Sequence, residues 1–254
     1  NQIFGESFFK NAHKTRFGVY DGDLYEFVNQ MLLQAKNPTF SFIMTLSNHP
    51  PYGMPETFMG PVNSSNVPSN LKEKILDEEN FYKRTRAFTY ADQALGVFLK
   101  KAKQESYFKE TLFLITSDHA HQMNLKWKPD EYYKQRRIPL LIYAPAMLKK
   151  ISEVNENYGS HLDILPTILS LILDKPVEIH SWGRSLIEPP KNKFLFSNDI
   201  NCLEDVCRAN DQVYILKNNQ NLKVCKDTIC LEKSEKIAGI VEAYWNSGLN
   251  YLFQ

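Results

Sequence analysis

From Asp21 to Leu173, short β-branched and aromatic runs alternate with amphipathic stretches of ten residues or more. That alternation leaves few folds open, because each strand and each helix must bury its apolar face against the other kind. Asp21 to Ala35 carries Leu24, Phe27, Val28, Met31 and Leu32 as one stripe, which predicts a helix capped by Asp21 or Asp23. Phe40 to Leu46 predicts a buried strand. Phe81 to Gln104, with Tyr90, Leu95, Val97, Phe98 and Leu99, predicts a second long helix. Leu112 to Ser117 and Ile138 to Tyr143 predict two further strands, the latter stopped by Pro145, and Leu162 to Leu173 a third helix. The expected class is α/β, a mostly parallel sheet flanked by helices. Between these elements run two polar loops, Ser47 to Asn80 with five prolines and Ala120 to Gln135. Loops of that length in a compact domain are often functional.

After Trp182 the rhythm changes. Phe194 to Phe196, Gln212 to Leu216, Leu222 to Cys225 and Thr228 to Leu231 are short strand candidates. Asn218-Asn219-Gln220-Asn221 has the composition of a hairpin turn, and Ser234 to Trp245 predicts a closing helix. The expected organisation is a main domain over 1–190 and a small antiparallel subdomain over 191–254. The four cysteines fall in this second part, as Cys202-x4-Cys207 and Cys225-x4-Cys230. A zinc site built from four cysteines usually has tighter pairs. Two short-loop disulfides fit an oxidising compartment such as a periplasm and are the preferred reading. Sequence does not fix their pairing; two local loops are expected, with a cross-linked hairpin as the alternative.

A net charge of +1 with interspersed acids and bases argues against a nucleic-acid partner held by phosphate contacts. No apolar stretch approaches the ~18 residues of a membrane span. The chain opens Asn1-Gln2-Ile3-Phe4-Gly5, without initiator Met or signal peptide, and is expected to be a piece of a longer product.

Chemistry concentrates at the ends of the predicted strands, where open α/β sheets collect their ligands. Thr116-Ser117-Asp118-His119 follows one strand, and Ser47-Asn48-His49-Pro50-Pro51-Tyr52 follows another. A carboxylate beside an imidazole suits Zn²⁺ or Mn²⁺. The plain alternative makes Asp118 a turn cap and His119 a surface residue. His121 points either into the site or at solvent. His161 flanks a helix, with Asp163 in the first turn where the dipole favours an acid. Arg136 and Arg137 suit an anionic headgroup, or are a solvated pair ahead of a strand. Asp163, Pro166 and Thr167 read as structural, Tyr52 and Trp127 as loop residues able to line a pocket, His13 and His180 as surface residues.

Taken in order, these segments resemble the sulfatase and alkaline-phosphatase superfamily, above all its lipoteichoic-acid synthase and phosphoglycerol transferase branch. The resemblance is carried by Phe17-Gly18-Val19-Tyr20-Asp21-Gly22-Asp23-Leu24-Tyr25, the Ser47–Tyr52 run, the Asp118-His119 pair, Leu162-Asp163-Ile164-Leu165-Pro166-Thr167 and Gly183-Arg184-Ser185-Leu186. It covers roughly Phe4 to Leu216. It implies one divalent metal, Mn²⁺ or Zn²⁺, held by Asp118 and His119, with His49 meeting the substrate phosphate or protonating the leaving oxygen. It implies a Thr or Ser nucleophile that forms a phospho-enzyme. In the family that nucleophile and an acidic ligand lie upstream of the segment matched by Phe17 to Tyr25, so residues 1–254 alone are expected to be inactive.

The implied activity is transfer of phosphoglycerol, or a similar phospholipid headgroup, onto an envelope glycan or glycolipid. The implied location is the periplasmic face of the inner membrane, anchored by an N-terminal part of the same protein. A sulfatase or phosphohydrolase of the same fold is the first alternative. A non-catalytic envelope-binding domain is the second.

Overall fold

The computed structural model describes residues 3–9, 12, 14, 17–60, 67–120, 123–127, 137–144, 159–187, 194–195, 200–203, 206–209, 212–217, 221–226 and 228–252. The chain divides into two compact units, Asn1–Trp127 with Gln135–Ile151, and Lys128–Lys134 with Ser152–Gln254.

In the first unit, helix α1 (Asp21–Gln34) packs on helix α3 (Glu78–Ala102), with the short α2 (Ser69–Lys72) between them in sequence. Helix α3 begins three residues before its predicted start because Asp77 caps it, accepting from the Asn80 N–H at 3.1 Å. Glu78 and Glu79 in its first turn and Lys100 and Lys101 in its last complement the helix dipole. Tyr25 stacks on Phe98 with ring centroids 5.0 Å apart, and Phe98 joins Phe108, Phe113 and Tyr143 in one aromatic cluster. Through this cluster α3 holds strands β1 (Phe113–Thr116) and β2 (Leu140–Tyr143).

Several expectations need correction. Asp21 is the first helical residue and Tyr20 the N-cap. The Asp21 side chain turns away from the helix end to the Ser47 loop. Strands β1 and β2 run antiparallel, Phe113 opposite Tyr143, and every described strand pair is antiparallel. Phe40 to Leu46 forms no strand: Phe40, Phe42 and Met44 are 81, 77 and 66 % exposed. Local propensity makes an extended run, but a strand exists only as a member of a ladder. No described residue pairs with this one.

The second unit opens with a 3₁₀ turn, His161–Asp163, continued by helix α4 (Ile164–Ile172). Pro166 is tolerated because first-turn N–H groups have no intrahelical acceptor. The antiparallel subdomain is a five-stranded sheet in sequential order, β3 (Phe194–Leu195), β4 (Ile200–Leu203), β5 (Val206–Ala209), β6 (Gln212–Lys217) and β7 (Asn221–Val224). Strands β4 and β5 have no counterpart in the sequence reading; four residues each with polar interruptions give too short a pattern to see. Thr228 to Leu231 is not a strand but the first turn of helix α5 (Thr228–Leu252), which packs on β4, β5 and β6. The fully buried Ile237 of α5 meets Val206, Cys225 and Cys230 in the core beneath. The amphipathic period decides this segment, since four apolar residues cannot tell strand from helix.

The disulfides are Cys202–Cys207 and Cys225–Cys230, the two local loops expected. The first staples directly opposed residues of β4 and β5, and the second ties the end of β7 to α5. Closing loops this short constrains the unfolded chain by about 2 kcal/mol per bridge. Replacing Cys225 and Cys230 together by alanine should lower stability by that amount, read by urea unfolding with and without reductant. An unchanged midpoint would show that the bridge carries no stability.

Three tyrosines set an alkaline limit. Burial pushes the Tyr25, Tyr90 and Tyr107 phenols above their ordinary range, with Asp21 adding to the rise at Tyr25 and Tyr90. Above about pH 10 the unfolded chain loses these protons while the folded chain keeps them. The folded state then binds more protons, so stability falls as pH rises through that range. Melting temperature measured from pH 8 to 11 should drop above pH 10, and less steeply in Tyr25→Phe.

Candidate active site

Strand β1 delivers the first group of functional side chains. Thr116 closes the strand and its Oγ1 donates to the Pro139 carbonyl at 2.9 Å, tying the turn that follows to the chain entering β2. Asp118 and His119 then project from this turn, their side chains 86 and 77 % exposed. The His119 N–H donates to Asp118 Oδ1 at 2.8 Å, which leaves Oδ2 open. His119 Nδ1 lies 3.1 Å from the Ala120 carbonyl. A carbonyl only accepts, so Nδ1 carries a proton, and in the neutral ring Nε2 presents its lone pair. That lone pair sits 3.5 Å from Asp118 Oδ2.

Two acceptor atoms so placed repel each other unless a proton or a cation lies between them. For Zn²⁺ at about 2.1 Å from each ligand, a tetrahedral angle separates two donors by about 3.4 Å. The pair therefore fits a shared divalent cation in both chemistry and spacing. Two donors do not complete such a site, and no cluster of three His, Cys, Asp or Glu occurs among the described residues.

The second group lies on the turn after residue 46. The His49 N–H donates to the Leu46 carbonyl at 2.9 Å and the Tyr52 N–H to the His49 carbonyl at 2.8 Å. His49 itself is exposed, its ring edge-on to Phe17 at 5.2 Å. His49 Nδ1 lies 2.7 Å from the Pro50 carbonyl, so by the same reasoning Nε2 is the nitrogen left to meet a ligand. Tyr52 is buried at φ 62°, a left-handed conformation unfavourable for a bulky side chain. The Arg84 guanidinium, 5.1 Å from the Tyr52 ring centroid, holds it there. No described hydrogen bond or ion pair joins His49 to the Asp118–His119 pair.

The remaining expectations divide. His121, Arg136 and His13 lie outside the described residues. Arg137 and His180 are exposed. Trp127 has Lys74 over its ring at 5.6 Å. A cavity of about 240 Å³ lies between α1 and α3, walled by Tyr25, Phe58, Tyr90 and Phe98, and none of the candidate catalytic residues lines it.

His161 is exposed, whereas Asp163 is only 4 % exposed and does more than complement a dipole. It accepts from the Ser160 N–H at 2.7 Å and from the Arg184 N–H at 2.8 Å. Thr167, fully buried, donates to the Asp163 carbonyl at 2.6 Å and accepts from the Leu186 N–H at 3.0 Å. The Leu-Asp-Ile-Leu-Pro-Thr and Gly-Arg-Ser-Leu runs are thus two halves of one buried clamp. Two acidic residues prove to be clamps, Asp163 here and Asp21 on the Ser47 loop. A lone Asp before a helix reads as a cap, and nothing local distinguishes a cap from a long-range acceptor.

Comparison with known proteins agrees with this architecture. A protein of the alkaline phosphatase superfamily from Vibrio parahaemolyticus superposes with a TM-score of 0.67 at 25 % identity, over 95 % of this chain and 59 % of that one. The lipoteichoic acid synthase LtaP from Listeria monocytogenes superposes with a TM-score of 0.70 at 18 % identity, over 94 and 62 %, and shows the same fold. By sequence, the chain is 22 % identical over 240 residues to the lipoteichoic acid synthase-like YvgJ of Bacillus subtilis, covering 87 % of this chain and 36 % of that protein. It is 23 % identical over 199 residues to the lipoteichoic acid synthase of Staphylococcus aureus strain USA300, covering 74 and 29 %. The chain spans about a third of the length of these relatives. The Sulfatase family model matches residues 2–174, well over half of the chain, and the chain belongs to the sulfatase family, in an α/β fold of the alkaline-phosphatase type.

Proposed function

We propose that this chain is part of a metal-dependent phosphotransferase that moves phosphoglycerol, or a similar phospholipid headgroup, onto an envelope glycan or glycolipid. The observation that carries the reading is the pair of facing lone-pair atoms, Asp118 Oδ2 and His119 Nε2, at the carboxyl end of β1 in a sulfatase-family chain. Relatives named as lipoteichoic acid synthases favour phosphoglycerol over sulfate. Asp118 and His119 hold one divalent cation, Mn²⁺ or Zn²⁺, which when bound polarises the phosphoryl oxygens and neutralises the charge that develops on them. His49 offers Nε2 to the phosphate or gives a proton to the leaving oxygen. His121 and Arg137 contact the anionic headgroup. The nucleophile is a Thr or Ser outside residues 1–254. The region 1–190 acts as the catalytic portion and 191–254 as the disulfide-stapled subdomain. The two disulfides support an extracytoplasmic location; the complete protein is anchored in the membrane and takes its donor from a phospholipid.

The test compares the complete reading frame with residues 1–254 on a nitrophenyl phosphodiester and a nitrophenyl sulfate, with Mn²⁺ or Zn²⁺ supplied. Phosphodiester cleavage by the complete protein, and none by residues 1–254, is expected. Sulfate cleavage alone would replace the transferase with a sulfatase. Turnover by residues 1–254 would place the nucleophile inside the chain. Neither activity, with no metal retained, would leave a binding domain.

A further inference from the structure

We infer that Asp21 is the positioning residue for His49, an inference that rests on the proposed role of His49 at the substrate phosphate. Asp21 is 1 % exposed at the start of α1. Burying a carboxylate is costly unless its oxygens are hydrogen-bonded, and among the described residues no ion pair holds this one. Its partners are backbone groups. Oδ1 accepts from the Leu46 N–H at 3.0 Å and from the Ser47 N–H at 2.9 Å. The Asp21 N–H donates back to Ser47 Oγ at 3.0 Å, and Ser47 is fully buried. The helix cap needs none of this, since a cap is made with the first-turn amides and not with residues 25 positions away.

The two amides that Asp21 holds lie immediately before Asn48 and His49. The Leu46 carbonyl in turn receives the His49 N–H at 2.9 Å. Two hydrogen bonds therefore connect the rigid α1–α3 pair to the His49 backbone, through Leu46. Tyr52 under Arg84 fixes the other end of the same turn. The His49 side chain is exposed, so its direction is set mainly by this backbone and by the Nδ1 contact to Pro50, with the Phe17 ring at 5.2 Å the one described aromatic neighbour. A misplacement of about 1 Å in a group that meets the reacting phosphate costs on the order of 100-fold in rate. Asp21 touches neither substrate nor metal in this scheme; it acts through the turn.

The test uses the complete protein, Mn²⁺ and a nitrophenyl phosphodiester. Asp21→Ala should lower kcat by roughly 100-fold with KM changed less than about threefold. Asp21→Asn, which keeps an Oδ1 acceptor, should recover kcat to within about threefold of wild type. Unchanged kcat in Asp21→Ala overturns the inference, and so does Asp21→Asn failing as badly as alanine, because the charge and not the acceptor would then matter. If Asp21→Ala does not fold at the assay temperature, Ser47→Ala decides, since it removes only the return bond: a several-fold loss of kcat supports the clamp and wild-type kcat overturns it. If the wild-type protein cleaves no phosphodiester, the proposed function fails, and the clamp is judged by the NMR signals of the His49 ring. Signals displaced by Asp21→Ala and restored by Asp21→Asn support the positioning role. Signals indifferent to both refute it.

Discussion

Asp118→Ala, made in the complete protein, should abolish metal-dependent phosphodiester cleavage, with a loss on the order of 10³-fold or more in kcat. The size follows from what the side chain supplies. Asp118 is one of two described donors facing a common point, 3.5 Å apart across the lone pair of His119. Removing the carboxylate takes away both a ligand and the only negative charge of the pair. A divalent cation stabilises a phosphoryl transition state by several kcal/mol, and each ~1.4 kcal/mol is tenfold in rate. Asp118→Ala should spare folding, because the side chain is exposed and its one described hydrogen bond to backbone is to the neighbouring His119 amide. Metal content after gel filtration, turnover and melting temperature together check this. Full metal occupancy and full turnover in Asp118→Ala would refute the proposed centre, whereas lost turnover with a large drop in melting temperature would mean only that the variant is unfolded.

Gly183→Ala should strongly destabilise the second unit. An added Cβ would lie 1.9 Å from the Leu162 carbonyl oxygen and 2.3 Å from its carbon. Those are backbone atoms and cannot rotate aside. Nor can residue 183 retreat, because the next amide, Arg184 N–H, is bonded to the buried Asp163 at 2.8 Å and Leu186 N–H to the buried Thr167 at 3.0 Å. Relief requires breaking the clamp, which leaves two buried acceptors unpaired, at a combined cost of roughly 3 kcal/mol or more. A fall in melting temperature on the order of 10 °C is expected. Gly96→Ala is the control: a Cβ there meets nothing within 4 Å in the interior of α3, and it should stabilise by about 0.5–1 kcal/mol. Equal effects from the two substitutions would dismiss the clamp as the cause.

What was legible in sequence was whatever depends on periodicity and local chemistry. Helices α1, α3 and α4 followed from stripes of Leu, Phe and Val, and β1 from the Leu112 to Ser117 run, because those patterns need only one apolar face to be hidden. Asp118 and His119 stood out because an acid and an imidazole rarely follow a buried strand together. Illegible was everything that needs a distant partner. Phe40 to Leu46 has the composition of a strand but joins no ladder among the described residues, and Phe40, Phe42 and Met44 stay exposed. Thr228 to Leu231 has the same composition and is helical, because it continues into the stripe ending on Ile237 and Val241. The short strands β4 and β5 were invisible, being defined by their cross-strand neighbours and by the Cys202–Cys207 bridge.

Short-range pattern was enough for the α/β class, for helices α1, α3 and α4, and for the sulfatase-type motifs and their order. It took the folded chain to show that Asp21 and Asp163 are buried acceptors holding loops 25 and 21 residues away, and that Asp118 Oδ2 faces His119 Nε2. One cause underlies each case. A carboxylate in a sequence declares its charge, but which amide or cation neutralises it depends on which backbone the fold brings within about 3 Å.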